Sequence, residues 1–194
     1  QVMHTTGDVG RAKTESARES MTAINPDVEV RAYRKRLTAA NALDVIEDYD
    51  FVLDGTDNFA AKFLVADACH FAGTPYSHAG ILRFDGQTMT VLPGQTTCYR
   101  CVFNRPPPEG AVPSCAQAGV LGVLGGVMGT LQATEAIKFL LDQGDLLIDR
   151  LLVYNALQMS FRKVELQRNP ECPLCGETPE ILEPADEAQP ACSM

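Results

Sequence analysis

Cys98-Tyr99-Arg100-Cys101 and Cys172-Pro173-Leu174-Cys175 are two C-x-x-C pairs in turn-like settings. Four thiolates suit a tetrahedral Zn²⁺ and leave no coordination position open, the arrangement of a structural site and not of a catalytic one. The pairs lie far apart in sequence, so the metal would clip two distant segments together. Two independent redox-active or simply buried pairs are the other reading of the same spacing.

Three further positions have chemistry in reach. Asp57 follows a short apolar run, and ligands of open α/β sheets bind beyond the carboxyl ends of strands. An acid there can hold Mg²⁺ against phosphates, or Asp57 and Asn58 can serve as caps of the helix that follows. Lys13 falls in the first turn of a helix, where a cation opposes the helix dipole. A phosphate partner would explain that placement, and so would plain solvation. Cys115 stands between a proline-rich loop and a long helix. Thiols at helix N-termini are rich in thiolate and suited to nucleophilic work, while a small buried residue is the alternative. Cys69 reads as core and Cys192 as incidental. His4, His70 and His78 show no ligand spacing, and core or surface roles are expected for them.

The elements that must position these residues follow from periodicity. Gly10 to Ala23 carries apolar residues at helical spacing and stops at Asn25-Pro26. Residues 28 to 33 alternate as a half-buried strand would. A short helix is expected over Ala39 to Glu47, then a buried strand over Phe51 to Leu53, then a helix from Phe59 to Phe71 closed by Gly73. Such alternation predicts an α/β sheet with parallel strands. Beyond it, Asp85-Gly86 signals a hairpin between Tyr76–Phe84 and Gln87–Leu92. The segment from Asn104 to Ser114 reads as a surface loop. Gln117 to Leu141 reads as a long helix whose glycines at 122, 125, 126 and 129 admit another helix closely, at the centre or in a dimer interface. A second hairpin spans Leu151 to Gln167, and the acidic stretch after Gly176 is expected to be loose.

Composition narrows the function classes. The 194 residues are 45% hydrophobic and 21% charged, ordinary for a globular protein large enough for one substantial core. A formal charge of −9 with no basic cluster argues against nucleic acid. No signal peptide and no membrane-spanning run are legible, so a cytoplasmic setting is expected. Seven cysteines in such a chain suggest metal or thiol chemistry and not a disulfide framework.

Taken together the motifs resemble those of the MoeB/ThiF/HesA-type adenylyltransferases, bacterial relatives of ubiquitin-activating enzymes. Leu53-Asp54-Gly55-Thr56-Asp57-Asn58 is similar to the family's Mg-ATP aspartate motif, and Gly10 to Ala17 to its phosphate-lysine helix. The two cysteine pairs, with Asn169 to Gly176 around the second, match its split zinc site. Cys115 to Val120 resembles its crossover-loop cysteine segment, and Gln132 to Lys138 the core helix beyond.

The resemblance implies a Rossmann-like α/β fold: a mostly parallel sheet with antiparallel hairpins and a split zinc site of four cysteines. One partial domain would cover 1–176, followed by a loose tail over 177–194. It further implies ATP-dependent adenylation of the C-terminal Gly-Gly of a ubiquitin-like sulfur-carrier protein by a homodimer. In that scheme Asp57 holds Mg²⁺, Lys13 binds phosphate, and Asn58 and Lys62 lie at the nucleotide; the cysteine matching Cys115 takes the carrier covalently in some members and is not needed in others. Many members carry Arg where Lys62 stands, and Lys is a point charge where Arg is a planar fork. The family's glycine-rich loop would precede Gln1. The N-terminal βαβ portion is therefore expected to be missing and ATP binding by this chain alone to be weak.

Three rival readings remain. A nicotinamide-dependent oxidoreductase shares the α/β alternation, but the zinc pairs have no purpose in it. A zinc-stapled carrier-binding module without catalysis, or a family member adenylating a different acceptor, fits the motifs better.

Overall fold

The computed structural model describes residues 3–108, 111 and 118–187. They divide into two compact units, 1–37 and 38–194.

In the first unit a 3₁₀ turn, Thr6–Asp8, precedes helix α1, Lys13–Ile24. Arg11 bridges Asp8 at 2.9 Å and Glu19 at 2.5 Å, and His4 Nδ1 lies 2.9 Å from Ser16 Oγ. Residues 28–33, expected as a strand, form none. Alternation specifies a strand only where a neighbouring strand takes up its backbone groups. Here the segment is largely exposed.

The second unit is an α/β layer structure. Its elements are α2 (Ala39–Ile46), β1 (Val52–Asp54), α3 (Phe59–Ala72), β2 (Tyr76–Leu82), β3 (Asp85–Val91), the short helix α4 (Tyr99–Val102), α5 (Val123–Leu141), β4 (Arg150–Asn155) and β5 (Ser160–Glu165). The strands form one sheet in the order β1-β2-β3-β4-β5. The mixed α/β architecture with antiparallel hairpins is as expected, but the parallel share is smaller. β1 and β2 run parallel, whereas the other three pairings are antiparallel.

Strand alternation divides β2 between two layers. Ala79 faces α5 in a cluster with Leu124, Met128 and Tyr154. Tyr76 and His78 face the opposite layer, where His78, Tyr99, Phe63 and Phe103 make successive ring contacts with centroids 4.6–4.9 Å apart. Helix α3 is buried continuously from Lys62 to Cys69, as a helix enclosed on most sides must be. Asn58 caps its start by accepting from the Ala61 amide at 2.9 Å, and Gly73 closes it in the left-handed conformation at φ 71°.

Two expectations shift by a few residues. The hairpin turn is Arg83-Phe84, with Arg83 at φ 53°, and Gly86 sits inside β3 opposite Ile81. Gly86 is small because α5 crosses there: a Cβ would fall 2.5 Å from Met128 Sδ. The long helix begins at Val123 and not at residue 117. Gly119 at φ 72° breaks helical geometry, and 119–121 instead bond to Arg83 through Arg83 N–Gly119 O (3.1 Å) and Leu121 N–Arg83 O (2.9 Å). The glycines of α5 look outward, with nothing within 4 Å of a Cβ built on any of them. No helix among the described residues is long and apolar enough to cross a membrane.

Candidate functional site

The carboxyl end of β1 meets the amino end of α3, and the turn between them carries Asp54 to Asn58. Asp57 is exposed there. Its neighbour Asn58 caps α3 and offers its side-chain amide to Asp57 Oδ1 at 3.4 Å. Backbone N–H groups at the start of a helix favour anions, so an exposed carboxylate at this point can share a divalent cation with a phosphate.

Beneath the turn lies a polar cluster that sequence reasoning missed. Asp54 is buried, and both its oxygens are engaged. Oδ1 accepts from the Thr56 amide at 2.9 Å and from the Thr56 hydroxyl at 2.6 Å. Oδ2 accepts from Lys62 Nζ at 3.1 Å and lies 3.0 Å from His78 Nδ1. Register explains the last contact, because Asp54 and His78 are direct Cα partners in the β1–β2 pair. Lys62 also donates to Ala79 O at 2.5 Å. From the other layer, Gln132 of α5 donates to Asp54 O at 3.1 Å and Ser77 O at 2.8 Å. Lys62, expected at the nucleotide, is thus an interior cation, with its side chain only 9% exposed. For His78 a core or surface role is expected from sequence, and its Asp54 pairing is the added finding.

Burial opposes ionisation of Asp54, but the His78 hydrogen bond, the Lys62 charge and the Thr56 hydroxyl outweigh it and hold its pKa at about 2. The His78 pKa is lowered, first by burial and then by the Lys62 charge, against the pull of Asp54. With Asp54 ionised and His78 neutral, Nδ1 carries the proton that Asp54 accepts. Among the described residues His78 Nε2 is buried without a hydrogen-bond partner.

The four cysteines come together as the spacing predicts. Their sulfurs all lie within 4.8 Å of one another, with separations of 3.6 Å (98–101), 3.6 Å (98–172), 3.4 Å (101–175) and 3.3 Å (98–175). A thiolate tetrahedron with metal–sulfur bonds of about 2.3 Å has edges of about 3.8 Å, so the cluster has the size of a metal site. Hydrogen bonding from Cys175 and Cys98 draws the Cys101 thiol down, while Cys101 pushes Cys175 up to about 11. Gly176 is required by close approach: a Cβ would sit 2.5 Å from both Cys172 O and Pro170 O. The Asn169 amide also points to Cys101 Sγ at 3.4 Å.

The first cysteine pair is tied to α3 by a second unforeseen pair. Arg100 forks onto Asp67 with two 2.7 Å bonds, lies 4.6 Å over the Phe63 ring, and reaches Glu187 at 2.8 Å. Burial raises the Asp67 pKa although Arg100 pulls it down. Burial also opposes the Arg100 charge, but the bonds from Asp67 and Glu187 raise its pKa. The parallel geometry marks the two as an ion pair. Asp186 accepts from the Ala39 amide at 3.1 Å, so part of the acidic segment expected to be loose is held down. Lys13 is exposed at the first position of α1, in the other unit. Cys115 lies outside the described residues.

A family model described as "ThiF family" matches residues 1–174. The chain is 49% identical over 191 residues to the sulfur carrier protein adenylyltransferase of Thermus thermophilus, covering 96% of this chain and 70% of that protein. It is 46% identical over 177 residues to the SAMP-activating enzyme E1 of Haloferax volcanii, covering 91% of this chain and 65% of that protein. A solved structure of E. coli MccB with ATP superposes with a TM-score of 0.76 at 21% identity, over 90% of this chain and 54% of that one, a likeness of fold.

Two outcomes follow from the geometry. The purified chain should carry a metal bound by the four thiols; chelation should lower its Tm, and Gly176→Ala should release the metal more readily. A Tm insensitive to chelation would contradict this. Asp54, lowered from 3.8 to about 2, contributes stability that is complete above pH 4 and lost as pH falls towards 2, of order 2 kcal/mol. The lowered His78 pKa acts in the same direction, starting below its ordinary 6.5. Acid titration of unfolding free energy should therefore be steeper for the parent than for an Asp54→Asn, Lys62→Met double variant. Equal slopes would count against the ionised cluster.

Proposed function

Because this chain belongs to the ThiF family, we propose that it is the core of an adenylyltransferase acting on a ubiquitin-like sulfur-carrier protein. The observation that carries the reading is the exposed Asp57 beside the Asn58 cap, at the carboxyl end of β1 and the amino end of α3. Relatives named a sulfur carrier protein adenylyltransferase and a SAMP-activating enzyme E1, matched over more than nine-tenths of this chain, support it.

In the proposed reaction an oxygen of the carrier's terminal Gly-Gly carboxylate attacks the α-phosphorus of ATP. The bond from that phosphorus to the bridging oxygen breaks, and pyrophosphate leaves with the electron pair. Positioning and charge neutralisation supply most of the acceleration in such a transfer. Asp57 is the residue suited to hold Mg²⁺, which needs one or two carboxylates and completes its shell with phosphate oxygens and water. Lys13 serves as a phosphate ligand, and Asn58 lies against the nucleotide. Lys62 acts on the nucleotide through Asp54 and not by contact. Zn²⁺ is the metal suited to the four thiolates, in a structural role. Cys115 is the candidate to receive the carrier: its thiolate would attack the acyl carbon of the adenylated carrier, forming a thioester as the bond to AMP breaks and AMP leaves.

We assign the active form as a homodimer of the cytoplasm. The open glycine edge of α5 and its exposed Val123 (67%) and Leu141 (64%) provide a surface to cover.

ATP–pyrophosphate exchange with a Gly-Gly-ended carrier tests the reading. It is measured on this chain and on the chain extended at its N-terminus by the corresponding segment of the Thermus relative. Carrier-dependent exchange abolished by Asp57→Ala is expected in the extended form. Carrier binding without exchange in either form would make the chain a zinc-stapled binding module. Exchange indifferent to the carrier would point to a different acceptor.

A further inference from the structure

The motif Asp54-Gly55-Thr56-Asp57-Asn58 offers two aspartates at one turn, and the structure distinguishes them. An ionised carboxylate has about four lone-pair sites. At Asp54 all four are used: two by the Thr56 amide and hydroxyl, and two by Lys62 and His78. A metal ion could bind Asp54 only by breaking one of these bonds inside the fold. Asp57 is exposed instead.

A buried ion pair is a weak source of net stability, because desolvation offsets most of the attraction. Stability alone therefore does not account for the cluster. Its geometry does: the carboxylate is clamped from the interior on one oxygen and shapes the turn with the other. Thr56 is the only residue between the clamped Asp54–Gly55 corner and Asp57. Both its amide and its hydroxyl are held at 2.9 Å or less. The clamp draws on three further elements, with Lys62 from α3, His78 from β2, and Gln132 from α5 on the Asp54 carbonyl.

We propose that Asp54, held by Lys62 and His78, is the positioning residue of the adenylation site, folding the Thr56 turn so that Asp57 and Asn58 stand ready at the α3 N-terminus. This rests on the function proposed above, and Lys62 and His78 act only through Asp54. The open turn would have to be ordered at each binding event, so the cost of losing the clamp appears in metal-nucleotide affinity and not in the chemistry itself.

The test has two arms. In the first, amide hydrogen exchange is followed over residues 55–58 in the 194-residue chain, comparing the parent with Lys62→Met, Lys62→Arg and Thr56→Val. Metal content and Tm are measured on each, so that a misfolded variant is recognised and Thr56→Val, which removes only the hydroxyl, can stand in for it. Faster exchange in Lys62→Met and Thr56→Val, restored towards the parent by Lys62→Arg, is expected. In the second arm, ATP–pyrophosphate exchange is titrated with Mg²⁺ in the extended chain. The Mg²⁺ concentration for half-maximal rate should rise about ten-fold in Lys62→Met and Thr56→Val, with the rate at saturating Mg²⁺ largely kept, and Lys62→Arg should again stay near the parent. Unchanged amide exchange at 55–58, or a lowered Tm with no shift in the Mg²⁺ requirement, overturns the inference. Two controls separate the readings: no carrier-dependent exchange in the parent extended chain sinks the adenylation reading, and exchange that survives Asp57→Ala sinks the Asp57 assignment and this inference with it, whereas exchange abolished by Asp57→Ala while Lys62→Met leaves the Mg²⁺ requirement unmoved sinks only the positioning role.

Discussion

A single ionised carboxylate buried at the end of β1 is the constraint around which the second unit is arranged. Desolvation alone would drive Asp54 neutral, and it stays charged because β2, α3 and the following turn all bring partners to it. Each of those partners must be in place for the carboxylate to be tolerated. The register of β1 on β2, the depth at which Lys62 of α3 sits, and the path of the turn to Asp57 are consequently set together. Gln132 adds the fourth element by donating to the backbone carbonyls of Asp54 and Ser77.

Helix α3 transmits this constraint along its length. At its start Asn58 caps the first turn and Lys62 reaches Asp54. Near its middle Asp67 receives the fork of Arg100, which stands inside the first cysteine pair. One helix thereby ties the Asp57 turn at its amino end to the thiol cluster that joins residues 98–101 to 172–175. Loss of one partner in a pair buried like Asp67 and Arg100 typically costs about 3–5 kcal/mol, so the cysteine cluster and α3 are expected to hold or fail together.

Much of this is legible in the residues, and the exceptions have physical causes. Cysteine spacing needs no tertiary context, since two pairs with three-residue offsets suit one tetrahedral site, and the four sulfurs converge as read. The caps Asn58 and Gly73 are equally local signals. Gly86 misleads because glycine marks both turns and close crossings: its sequence context signals the turn, and it is the place where Met128 presses on β3. The alternation at 28–33 lacks a partner strand, which no local pattern reveals. Asp54 and Lys62 are eight residues apart and His78 lies much further on, so the three meet only through the β1–β2 register and the packing of α3. The visible clue is a carboxylate ending an apolar run, which the motif absorbs without giving it a separate role. Asp67 and Arg100 likewise become a pair only through the fold.

The central claim is that the Asp57 turn belongs to an adenylating site. The most direct measurement is mass spectrometry of a Gly-Gly-ended carrier after a single turnover with ATP and Mg²⁺ on the N-terminally extended chain, trapping the product before hydrolysis. A carrier bearing one AMP on its C-terminal carboxylate is expected, formed by the parent and not by Asp57→Ala. An unmodified carrier, recovered bound to a folded and metal-loaded protein, would contradict it.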